Sequence, residues 1–246
     1  MKRYTKLSLL LIAVAAVVFY LVSFRLENVE IRNDSIYSDE EIRNMIFNGS
    51  RLDKYTHFFA WRVNKNTKSK IPFVEKTDVE IVDKNSVIIY VYGKSVAGCV
   101  SHMGKYIHFD REGVVVESAD TPLNGIPVVE GLEFLDVTMG EKLKMGNSDL
   151  FTTLMTILKS LEKNSLAAER IVFGIRNDIT LYIGENIILL GIDGDNDYRI
   201  NNISPVFASL REEYGDKAFR VDMRNYSPKN TQITARLIDE NEDFEE

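Results

Sequence analysis

Cysteine is almost missing from this chain: Cys99 is the only one in 246 residues. No internal disulfide can form, so stability has to come from packing. Cys99 lies in the small, apolar, strand-like run Val96-Ala97-Gly98-Cys99-Val100, where burial is expected rather than reactivity. Histidine is nearly as scarce, with His57, His102 and His108 making the full set. No H-E-x-x-H, G-x-S-x-G or phosphate-binding P-loop occurs, and Cys99 has no histidine at a diagnostic spacing. His102 and His108 flank an expected hairpin and can face each other across it, but two ligands do not close a metal site. Asp193-Gly194-Asp195-Asn196-Asp197 sets carboxylates at alternate positions like the start of a calcium loop. Tyr198 and Ser204 stand where that loop needs Gly and Glu, so a turn followed by helix-capping aspartates is the better reading. These absences lead to the expectation of no catalytic residues, no cofactor and no metal.

A basic surplus is also absent. The chain holds 30 basic and 37 acidic residues, which argues against nucleic-acid binding. Charge is missing altogether between Lys6 and Arg25, where 18 residues are broken only by Ser8 and Ser23. As a helix they reach roughly 27 Å, close to a hydrocarbon core, which predicts a transmembrane helix over 7–24. Lys2, Arg3 and Lys6 precede it, Glu27 and Glu30 follow, and Tyr4, Tyr20 and Phe24 fall near its ends. The positive-inside rule then predicts a single-pass cell-membrane protein with residues 1–6 cytoplasmic and the rest outside. Ala13-Val14-Ala15-Ala16 offers a cleavage alternative, but cutting there leaves Val17-Val18-Phe19-Tyr20-Leu21-Val22 as a poor soluble terminus, so an uncleaved anchor is expected.

Beyond residue 25, periodicity predicts an α+β chain with two modules and no fixed-period repeat. Val29 and Ile31 alternate with charged neighbours as in a strand. Ser38 and Glu41 make a capping box for a helix that buries Ile42, Met45 and Ile46 and closes at Asn48-Gly49. The stretch from Arg51 to Lys70 is basic and aromatic, a loop plus short helix. A solvated face with Phe58, Phe59 and Trp61 turned inward is the expected reading, and a contact for anionic lipid or a partner is the alternative. Strands are expected over 78–82 and 86–92, giving strand, helix, helix, strand, strand within 25–93. A second module over 94–237 begins with a meander over 96–101, 105–109 and 114–117. A helix over 148–161 capped by Asn147 or Ser148 follows, then strands over 170–173, 179–183 and 187–192. A last helix carries Ile200, Ile203, Phe207, Leu210 and Tyr214, with Pro205 either kinking it or marking its first turn, and Gly215 ends it. Strands over 218–223 and 231–237 complete a mostly antiparallel β-domain with two helices. The acidic tail 238–246 is expected to be disordered.

Five segments in this order carry a resemblance. They are Val29-Glu30-Ile31-Arg32-Asn33 leading to Ser38-Asp39-Glu40-Glu41-Ile42, and the junction from Ile88 to Ala97, where Tyr92 and Ser95 replace an expected Glu and Pro. Gly104-Lys105-Tyr106-Ile107-His108-Phe109-Asp110-Arg111-Glu112-Gly113, Ile126-Pro127-Val128-Val129-Glu130-Gly131 and Phe219-Arg220-Val221-Asp222-Met223-Arg224 follow. With the apolar N-terminus, the chain resembles the FtsQ/DivIB family of bacterial cell-division proteins. That resemblance implies a membrane-anchored POTRA module and a β-domain at the division septum. It also implies a non-enzymatic scaffold whose partners are two small bitopic coiled-coil proteins, FtsL-like and FtsB/DivIC-like. The family binds its coiled-coil partner on the last strands, which here points to Arg224, Asn225, Tyr226, Thr231, Ile233, Thr234 and Ala235. Asn225 is inserted between the arginine and the tyrosine that are adjacent in the family. Another POTRA-bearing transport or assembly component, or an exported enzyme, are the alternatives.

Overall fold

The computed structural model describes residues 2–47, 49–65, 69–192 and 195–238. The chain divides into two compact units, Met1–Lys94 and Ser95–Glu246.

The first unit opens with helix α1 (Lys2–Val22). Among the described residues no helix is long and apolar enough to cross a membrane, which overturns the expected span over 7–24 and the single-pass membrane placement built on it. The helix stops at Val22 rather than Phe24, so its uncharged segment is two residues shorter than the expected span, about 24 Å as a helix.

Strand β1 (Asn28–Asp34), helix α2 (Asp39–Ile46), a 3-10 turn (Arg51–Lys54), helix α3 (Thr56–Asn64) and strands β2 (Val74–Ile81) and β3 (Ser86–Gly93) follow. β3 lies at the centre of the three-stranded sheet, parallel to β1 and antiparallel to β2. The capping box forms: Ser38 Oγ accepts from the Glu41 amide, and the Ser38 amide donates to Glu41 Oε2 at 2.8 Å. It satisfies amides that the helix start leaves orphaned and aims Ile42 and Ile46 at the sheet. Val87, Ile89 and Val91 on alternate positions of β3 meet them, together with Phe59, Ala60 and Val63 of α3. Trp61 is a correction. It is 59% exposed, because two residues along a helix turns it about 200° from the buried Phe59. Asn48 and Lys68 lie outside the described residues.

The second unit contains strands β4 (Gly98–His102), β5 (Lys105–Phe109), β6 (Val115–Ala119), β7 (Val128–Glu130), β8 (Phe134–Asp136) and β9 (Lys144–Met145). Helix α4 (Ser148–Lys163) is followed by strands β10 (Arg170–Phe173), β11 (Ile179–Ile183) and β12 (Asn186–Gly191). Helices α5 (Asn196–Asn201) and α6 (Ile203–Tyr214) and strands β13 (Phe219–Asp222) and β14 (Thr234–Leu237) close it. Nine strands form one sheet in the order β14-β13-β12-β11-β10-β7-β4-β5-β6.

That sheet is more mixed than the sequence pattern suggested. β7 pairs in parallel with both β4 and β10, and β12 pairs in parallel with β13. Two of these parallel pairs follow from helices: α4 lies in the connection from β7 to β10, and α5 and α6 in that from β12 to β13, so the chain re-enters the sheet in its original direction. β4 and β7 are instead joined through β5 and β6. The single last helix is in fact two, separated at Asn202, and Pro205 falls in the first turn of α6, where its missing N–H leaves no bond unmade.

One apolar cluster fills this unit. Leu154, Ile157, Leu158 and Leu161 of α4 and Ile203, Phe207 and Leu210 of α6 join Ile171, Leu181, Ile188 and Val221 of the sheet. Each fully buried aliphatic contributes roughly 1.5–3 kcal/mol. The last strand is shorter than 231–237. β13 ends at Asp222, opposite Thr234, so residues 231–233 have no neighbouring strand among the described residues to pair with. The acidic tail from residue 239 lies outside the described residues.

Candidate functional site

The chemistry that residue types alone raise does not assemble. Cys99 is fully buried, and burial pushes its thiol up to about 12, so it holds no thiolate at neutral pH. His102 pairs with Lys105 and His108 with Cys99, so the two histidines do not face each other across the hairpin. Among the described residues no group of three His, Cys, Asp or Glu could hold a metal ion. Asp193 and Gly194 lie outside those residues, while Asp195 caps α5 by accepting from the Tyr198 amide at 3.0 Å.

One catalytic motif does occur in the sequence: Ser160-Leu161-Glu162-Lys163 fits S-x-x-K. Ser160 is 2% exposed and its hydroxyl donates to Asp197 Oδ1 at 2.6 Å, which leaves it a strut between α4 and α5 rather than a nucleophile. A groove of about 800 Å³ runs along α4. Its threonines, Thr152 and Thr156, donate back to carbonyls of their own helix.

At the C-terminal end of the nine-stranded sheet the arrangement is different. Among the described residues β14 is the outermost strand at this end of the sheet. The Ile238 amide donates to the Ala218 carbonyl at 3.0 Å, which fixes the phase of the ladder. By antiparallel alternation, Thr234 and Arg236 exchange bonds with Asp222 and Arg220, while Ile233, Ala235 and Leu237 turn their N–H groups to the open edge. The side chains alternate as well. Ile233, Ala235 and Leu237 pack on the core, and Thr234 and Arg236 point to the other face.

That outer face carries a shallow hollow of about 480 Å³, lined by Leu189, Arg220, Asp222, Arg224, Thr234 and Arg236. Arg220 and Arg236 sit directly opposite each other, a like-charge pair that costs stability unless an anion lies over it. Arg224 is partly neutralised: its Nε reaches Asp222 Oδ1 at 3.0 Å and Oδ2 at 3.1 Å. These hydrogen bonds hold the Asp222 carboxyl below the usual carboxylate range.

Arg224 and Asn225 are exposed, and Tyr226 is half-buried with its ring stacked on Tyr198. Gly191 makes the close approach possible. Its backbone has φ +84°, and a Cβ there would lie 2.9 Å from Arg224 Cγ. Of the residues expected from sequence, Arg224 and Thr234 share the hollow, and Ile233 and Ala235 supply the edge. Thr231 is exposed ahead of the strand, and Asn225 projects from the preceding loop.

Sequence reasoning missed Arg220, Arg236, Tyr198 and Arg199. The first two had a signal, since both occupy the outward phase of neighbouring strands. No protein-family model matches the chain, and a search of curated proteins returns no significant match.

Proposed function

We propose that this chain is a non-enzymatic scaffold of the bacterial division complex, which supports septum formation by binding other division proteins through the β14 edge and the arginine face beside it. Three features support the reading. An open edge presents backbone donors and acceptors that an extended segment can pair with. The adjoining face concentrates Arg220, Arg224 and Arg236, which suits an acidic partner segment and steers its approach. The resemblance in sequence order to the FtsQ/DivIB family supplies the partner class, small FtsL-like and FtsB/DivIC-like coiled-coil proteins. The single observation that carries the proposal is the juxtaposition of the unpaired edge with the opposed pair Arg220 and Arg236.

The test is capture of the FtsB/DivIC-like protein by the full chain. Arg224→Glu is expected to weaken capture by about 1–3 kcal/mol, since it reverses charge where an acidic segment would lie. Unchanged capture by both Arg224→Glu and the double variant Arg220→Glu/Arg236→Glu would place the binding site elsewhere.

A further inference from the structure

Arg199 is a cation that the sequence hides inside an apolar stripe, between Tyr198 and Ile200. It is 5% exposed, and its guanidinium donates to three backbone carbonyls from two separate segments. Nη1 donates to Leu190 O at the end of β12. Nη2 donates to Arg224 O at 2.7 Å and Nε to Tyr226 O at 3.1 Å. The flat guanidinium, with donors diverging in a fixed plane, can hold all three at once, which a lysine ammonium on a flexible stem does far less well.

The bonds to Arg224 and Tyr226 are the informative ones. The Tyr226 amide donates to Met223 O at 2.9 Å, so residues 223–226 form a tight turn directly after β13. Arg199 seizes this turn from its inner side by two of its carbonyls. On the outer side, Asp222 holds the Arg224 side chain and accepts from the Arg224 amide at 3.0 Å. The next residue back in α5, Tyr198, stacks its ring on Tyr226. Two consecutive helix residues thus grip the turn, one by its backbone and one by its ring.

We infer that Arg199 is a positioning residue for partner recognition: it touches no partner itself and fixes the turn that aims Arg224 and Tyr226 beside the β14 edge. The inference rests on the binding site proposed above. A turn held in one geometry before the partner arrives has little ordering left to lose on binding, and loosening it costs affinity without removing any contact group.

The test compares Arg199→Gln, Arg199→Lys and Arg224→Glu in the full chain, with the purified soluble segment of the FtsB/DivIC-like protein as probe. Affinity is read by titration, and backbone amide exchange by mass spectrometry. Arg199→Gln is expected to speed exchange across 223–227 while leaving β11 and β12 protected, and to weaken binding about tenfold. Arg199→Lys keeps the charge and part of the donor set, so it folds more readily and should fall between Gln and the parent in both readouts. Acceleration spread through the whole sheet, or a turn as protected as in the parent, overturns the inference. So does normal affinity in both Arg199 variants while Arg224→Glu binds poorly, and in that case the binding site itself stands. If Arg224→Glu also binds normally, Arg224 is no contact for the turn to aim and the inference falls, while the site reading fails only if Arg220→Glu/Arg236→Glu binds normally too.

Discussion

The ring of Tyr198 stacks on that of Tyr226, with centroids 5.5 Å apart and planes 21° apart. Tyr198 belongs to α5, whose position depends on the Asp195 cap and on the strut from Ser160 to Asp197. The stack therefore ties the turn after β13 to the helical layer. Aromatic pairs of this kind contribute about 0.5–1.5 kcal/mol beyond their burial. Tyr198→Ala should lower stability by more than that amount, through the lost ring area. It should also weaken capture of the coiled-coil partner, although position 198 is not in the binding edge. Tyr226→Phe keeps the stack and should leave stability nearly unchanged. Thermal melts with titrations of the partner segment check both variants.

His108 makes the second unit sensitive to acid. It is fully buried, and desolvation is the largest effect on it, holding it below the ordinary histidine range, while a backbone bond at Tyr106 and the charge of Glu117 oppose the shift. The sign follows from linkage. The folded protein keeps His108 neutral while the unfolded chain takes up a proton as pH falls through about 6.5, so stability is lost on the acid side and not on the alkaline side. The loss is limited to about 1.4 kcal/mol per pH unit for one group. Melting curves from pH 8 to pH 5 should slope more steeply for the parent than for His108→Gln. Equal slopes would show that His108 is not the group responsible.

In the first unit, Asp53 and Arg62 form a largely buried pair, with Arg62 Nε 2.7 Å from Asp53 Oδ1 and Arg62 Nη2 donating to Ile46 O at 3.0 Å. Asp53 is 8% exposed, and among the described residues its Oδ2 has no hydrogen-bond partner, so removing the arginine strands a buried charge. Arg62→Met should destabilise by about 3–5 kcal/mol, and the double change Asp53→Leu/Arg62→Met by much less. Denaturant titration of the two variants decides it.

The helices and most strands were legible because their burial follows simple periods. Ile42 with Ile46, and Leu154 with Leu158 and Leu161, mark helix faces, and Val87, Ile89 and Val91 mark a strand face. Lengths set by tertiary neighbours were not legible. β14 loses residues 231–233 only because β13 stops at Asp222, and the apolar N-terminal run is helical only to Val22. Trp61 reads as core by type and is turned out by its place on α3. The site was half legible. Arg224, Ile233 and Ala235 follow from order and alternation. Arg199 does not, because nothing local says that its guanidinium meets carbonyls some 25 residues away.

The β14 edge is the centre of this account, and one substitution isolates it. Ala235 turns its N–H outward in the ladder fixed by Ile238 and Ala218, so Ala235→Pro removes a donor from the open edge and leaves the bonds to β13 in place. Arg236→Pro, one residue on, breaks the ladder itself and serves as the contrast. Binding of the FtsB/DivIC-like segment to the full chain is the measurement, with the melting temperature followed in the same samples. The account predicts that Ala235→Pro melts close to the parent and loses binding, while Arg236→Pro loses stability as well. An Ala235→Pro protein that binds the segment with parental affinity would contradict it.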